Sequence, residues 1–70
     1  MSRRPVESSN IASVGYEASS ATLEIEFRSG GIYRYFDVPE WVYRELMEAP
    51  PHGKYLHTHI RDKYRYMKVR

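Results

Sequence analysis

The sequence predicts a small α+β domain: a three-stranded antiparallel meander packed on one or two helices. Three observations point there. The chain has 70 residues, room for a single domain. The stretches "IASVGYE", "TLEIEFR" and "IYRYF" alternate apolar and polar residues with the period of half-buried strands. After them comes "VPEWVYRELMEA", where apolar residues recur at helical spacing.

Residues 1–10 are polar, without the apolar spacing of an element, and are expected as a flexible N-terminal segment. The domain proper is expected over 11–66, with 67–70 a basic tail. In the first strand Ala12, Val14 and Tyr16 alternate against Ser13, Gly15 and Glu17. Gly15 inside a strand marks a bulge or a close backbone approach. "ASSA" is a turn. In "TLEIEFR" Leu23, Ile25 and Phe27 point one way, and Thr22, Glu24, Glu26 and Arg28 the other.

The loop that follows decides the face of Tyr33 and Tyr35. A three-residue loop of Arg28, Ser29 and Gly30 pairs Ile25 with Tyr33 and Leu23 with Tyr35 on one face. Glu24 then meets Arg34 on the other, a favourable cross-strand pair. A two-residue loop of Ser29 and Gly30 shifts the register by one and turns the tyrosines outward beside Glu24 and Glu26. The first register satisfies both faces better, so Tyr33 and Tyr35 are expected toward the core. The opposite face then carries Ile32, Arg34 and Phe36, a small apolar patch suited to docking a partner or a second copy.

The helix is expected over 39–49, with Pro39 at its first position and Glu40 at its positive end. Val42, Tyr43, Leu46, Met47 and Ala49 form its apolar stripe, and Pro50 and Pro51 stop it. "HGKYLHTHIR" fits a second short helix, near 53–61, better than a strand. "DKYRYMKV" repeats the strand alternation through Tyr64 and Tyr66, and either adds an edge strand or trails.

Seven of the ten aromatic residues are tyrosines. A tyrosine buries its ring and keeps its hydroxyl wet. That suits a short chain, which buries only about 60% of its unfolded surface. No cysteine is present, so neither a disulfide nor a cysteine zinc site is expected. The start lacks the apolar core of a signal peptide and no apolar run reaches membrane length, so a soluble cytosolic protein is expected, with no membrane partner. His57 and His59, two apart on a helix, do not form a chelating pair, and no metal is expected. They are read as a surface and a half-buried residue. No nucleophile has a partner motif, and no glycine fingerprint for phosphate is present. The acids do not converge as a pair. Neither catalysis nor a cofactor is implied.

Charge is unevenly laid out. From Pro51 to Arg70 there are six Lys and Arg residues against Asp62 alone. Such a tail attracts anionic surfaces. Tyrosines interleave with these bases, as in single-stranded nucleic-acid binders. The expectation is RNA binding, with Lys54, Arg61, Lys63 and Arg65 on phosphates and Tyr64 as the stacking ring. The alternative is a protein-interaction or homodimerisation module working through a sheet edge or the Ile32–Phe36 face.

The segments "SSNIASVGY" (8–16), "LEIEF" (23–27), "YRY" (33–35), "VP" (38–39) and "GKYLHTHIRDKY" (53–64) stand in an order that resembles the KTSC domain. That domain takes its name from its occurrence at the C-terminus of some lysyl-tRNA synthetases. It is also found as free-standing small bacterial proteins, which this chain looks like. The resemblance implies that Tyr33 and Tyr35 match the family's tyrosine motif, and its synthetase association suggests RNA as partner, with tRNA the candidate species. Pro51 stands where the family usually has serine, which puts a helix cap in doubt. His57 stands where asparagine is usual, and would make any ligand contact there pH-sensitive.

Overall fold

The 28–30 loop takes the three-residue form. A computed structural model describes residues 1–70. Its elements are β1 (Arg4–Pro5), β2 (Ile11–Glu17), β3 (Thr22–Phe27), β4 (Ile32–Tyr35), α1 (Glu40–Glu48), α2 (His52–His59) and β5 (Tyr66–Lys68). Gly30 has a φ of +107°, a region that glycine enters without a Cβ penalty. Its N–H donates to Phe27 O, and the Phe27 N–H donates to Gly31 O, each at 2.9 Å. This closure places Leu23 opposite Tyr35, Ile25 opposite Tyr33 and Glu24 opposite Arg34, the register expected from the pattern.

The strands pair antiparallel in chain order, β1-β2-β3-β4-β5, so the meander has five strands where the sequence suggested three. Residues 1–10, expected as a flexible segment without an element, supply β1: Arg4 lies opposite Val14 and Pro5 opposite Ser13. The C-terminal end extends the sheet beyond 66, with Tyr66 opposite Tyr35 and Lys68 opposite Tyr33. Along β2 the register shifts between Ile11 and Ser13, so the extra residue is Ala12. The bulge re-phases the strand, and fully buried Ile11 joins Val14 on the core side in place of Ala12.

Gly15 is the site of close approach. A Cβ there would lie 2.6 Å from Ser2 O and 3.0 Å from Arg3 Cγ. The N-terminal strand is held here by charge. Glu24, 3% exposed, is paired by Arg3 Nη1 on one oxygen and by Arg34 Nε on the other, the latter at 2.8 Å. Arg3 Nε also donates to Ser13 Oγ at 3.0 Å, and the Ser13 hydroxyl to Glu26 at 2.8 Å. Gly15→Ala is therefore expected to push the 1–5 segment off β2 and cost about 1–3 kcal/mol, the usual range for overpacking. Urea unfolding of the variant checks this, and an unchanged midpoint would refute the close approach.

Helix α1 starts at Glu40. Pro39 precedes it in an extended conformation (ψ 149°), one place earlier than expected. Val42 and Leu46, one helical turn apart, are buried against the sheet. Tyr43 stacks on Tyr16 with centroids 5.1 Å apart, and the Tyr16 hydroxyl donates to Val38 O at 2.5 Å, tying β2 to the start of α1. Leu56 of α2 and Ile60 just after it join the same core. Pro51 stands at its N-cap position with no side-chain hydrogen bond.

The two helices are joined by Tyr55, whose hydroxyl donates to Glu45 Oε1 at 2.6 Å. Burial and this carboxylate push the phenol up to about 12. His52 Nδ1 donates to Leu46 O at 2.7 Å. His59, expected half-buried, is exposed, its ring 4.4 Å from that of Tyr55.

The Ile32–Phe36 patch does not form as expected. Ile32 is 5% exposed, and Phe36 is half-buried with the Arg65 guanidinium 5.4 Å from its ring centre. No helix is long and apolar enough to cross a membrane.

Candidate functional site

Tyr33 and Tyr35 face the helices, yet they are more than core. Core-side rings of β3, β4 and β5 form a continuous aromatic wall. Phe27 meets Tyr33 edge-on at 5.5 Å, and Tyr66 lies 5.8 Å from both Tyr33 and Tyr35. Tyr35 is 4% exposed and belongs to the core, Tyr33 is half-buried, and Tyr66 is 56% exposed. The wall therefore runs from the interior out to solvent.

Facing it across a gap stand Gly53, Leu56 and His57 of α2, and Arg61 and Asp62 of the turn after it. Asn10 and Ser29 complete the lining of an open cavity of about 460 Å³. A Cβ on Gly53 would lie 3.3 Å from Asn10 Nδ2, so glycine lets α2 lie close to the chain entering β2.

The polar groups on this cavity are largely uncommitted. The hydroxyls of Tyr33 and Tyr35 make no hydrogen bond within the protein, although the Tyr35 ring is buried. Burial pushes the Tyr35 phenol up, with Arg61 pulling part of the way back, so the group stays protonated and free to donate at neutral pH. Arg61 pairs with no carboxylate; its Nη1 donates to His57 Nδ1 at 3.3 Å. The site thus combines flat apolar faces, a phenol donor, one available cation and the acceptor Asp62. Such a set suits a planar ligand carrying an anionic group.

The residues expected to contact RNA do not all gather here. Arg61 lines the cavity together with Tyr33 and Tyr35. Lys54 lies on a second, smaller cavity of about 270 Å³ with Pro51, Tyr55 and His59. Lys63 is exposed in the turn after α2. Arg65 sits over Phe36, 3.7 Å from Asp37. Tyr64 is half-buried and packs against the core, and the exposed ring of the cavity is Tyr66.

Sequence reasoning did not single out Asn10, Phe27, Ser29, Asp62 or Tyr66 for the site. A signal existed: Asn10, Phe27, Gly53, His57, Arg61 and Asp62 all fall in the segments that carry the family resemblance.

Comparison with known proteins follows the same segments. The family model described as the KTSC domain matches residues 7–64. A lysine–tRNA ligase of Trichormus variabilis is 45% identical over 63 residues, covering 90% of this chain and 11% of that one. The chain thus spans about a tenth of the ligases it matches. An uncharacterized protein of Stutzerimonas stutzeri is 37% identical over 70 residues, 99% of each chain. The crystal structure of a KTSC domain protein from Yersinia pestis superposes with a TM-score of 0.96 at 38% identity, covering 99% of this chain and 97% of that one. With the family model spanning most of the sequence and the whole fold shared, this chain belongs to the KTSC domain family.

Proposed function

We propose that this protein is a non-catalytic RNA-binding module, related in use to the KTSC region of the lysine–tRNA ligases. The observation that carries the reading is the convergence of the accessible rings of Tyr33 and Tyr66 with Arg61 on one open cavity. Stacking rings beside an available guanidinium are what single-stranded RNA recognition needs. Shared sequence with proteins named for acting with tRNA supports the same class of partner. The exposed bases Lys54, Lys63 and Arg65 add charge beyond the cavity.

Titration with tRNA and with an unstructured oligonucleotide at several salt concentrations tests it. If three or four phosphates are neutralised, log affinity falls with log salt at a slope of about −2 to −3. Neutralising Arg61 and Lys63 together should flatten that slope and leave the melting temperature unchanged, since both side chains are exposed and neither is in an ion pair. Absence of binding at about 50 mM salt, where the phosphate term is strong, would transfer the function to protein interaction.

A further inference from the structure

We infer that the cavity between α2 and the sheet is a one-nucleotide site: an unstacked base lies on Tyr66 and Tyr33, and its phosphodiester meets Arg61. This rests on the RNA-binding reading and deepens it from a basic surface to a pocket. The rings are preset. Phe27 braces Tyr33 edge-on, and Tyr66 lies tilted by 46° to Tyr33 and 37° to Tyr35, with its outer side open. Residues of the sheet and of α2 line a space of about 460 Å³, within the range of single-ligand pockets and too small to hold a stacked duplex.

Charge narrows the ligand further. Arg61 is the cation on the lining whose charge no carboxylate answers, and Asp62 is its neighbour. A phosphodiester carries one negative charge and suits that balance. A dianionic phosphate group meets Asp62 as well as Arg61 and is disfavoured. Asp62 accepts hydrogen bonds and does not donate when ionised. The ligand must therefore bring donors of its own, as ribose hydroxyls and base amino groups do. Asn10 and the free phenols of Tyr33 and Tyr35 offer complementary partners for the base edge.

The test uses a dinucleoside monophosphate, inorganic phosphate and a single-stranded RNA oligonucleotide, followed by amide and side-chain NMR. The dinucleotide should give saturable shifts at Tyr33, His57, Arg61 and Tyr66. Inorganic phosphate should give far weaker ones. Tyr66→Leu, at an exposed position that keeps its bulk in the strand, should weaken oligonucleotide binding about tenfold, and Tyr66→Phe should stay within about twofold of the parent. A melting temperature near the parent's shows that Tyr66→Leu is folded.

Equal oligonucleotide affinity for parent and Tyr66→Leu would overturn the one-base site and leave RNA binding standing. Phosphate shifts as strong as those of the dinucleotide would overturn it too, leaving a plain anion site. Dinucleotide shifts at the cavity without any oligonucleotide binding would support the nucleotide site and remove the RNA reading. Silence from both ligands ends both.

Discussion

Tyr35→Ala is expected to cost about 3 kcal/mol or more, the range for emptying an aromatic from a core. The ring is 4% exposed and packs in the cluster with Leu23 and Ile25. A domain of this length has roughly 4–10 kcal/mol in total, so the variant should be close to unfolding at physiological temperature. Tyr33→Ala, at a half-buried ring, should cost clearly less. Tyr35→Phe keeps the ring and removes only a hydroxyl with no protein partner, so its stability should stay near that of the parent. Denaturant melts of the three variants check the ranking. A Tyr35→Ala protein melting within a degree or two of the parent would overturn the assignment of that face to the core.

The second large effect concerns Glu24. Burial pushes its carboxyl up, but the hydrogen bonds from Arg34 and Arg3 outweigh burial and hold it below the usual carboxylate range. A depressed folded pKa means stability that is fully present above the unfolded value, about 4.3 for glutamate, and is lost as pH falls through the folded one. Replacing both partners, Arg3→Met with Arg34→Met, leaves the buried carboxylate alone. That should cost about 3 kcal/mol at neutral pH, at the low end for breaking a buried pair because the arginines were themselves partly hydrated.

The sign of the pH dependence should then invert. With only desolvation left, the Glu24 pKa rises, and its stability is present below the unfolded value and lost as pH climbs through the folded one. Melting curves between pH 3 and 7 should show the parent weakening toward acid while the double variant gains on the same path. Parallel curves would show that Glu24 is not held by these two arginines. The same network holds the N-terminal strand, so faster amide exchange in 1–6 of the variant is a further expected result.

How much of this was legible in the sequence can be judged element by element. The 22–35 hairpin was readable down to two registers, and the one that sets Glu24 opposite Arg34, favoured because it satisfies both faces, is the one that forms. Helix α1 was readable within a residue, since Val42 and Leu46 sit one turn apart and the prolines bound it. The family resemblance was carried by short segments in order, and that order is a property of the sequence alone.

Tertiary structure decided the rest. β1 is two exposed residues with no period to read; a buried glutamate 21 residues beyond Arg3 anchors it through that arginine. For β5 the alternation through Tyr64 and Tyr66 left an edge strand and a trailing end both open, and pairing with β4 decides for the strand. The bulge at Ala12, which sends Ile11 inward, depends on where β3 meets β2. The tyrosine pair was legible as inward-facing, but inward here leads to two environments. Tyr35 is buried in the core cluster, while Tyr33 and Tyr66 continue outward along a cavity whose lining runs from Asn10 to Tyr66. A strand's period of two assigns a side chain to a face, and only the packing of α2 across that face determines where core ends and open cleft begins.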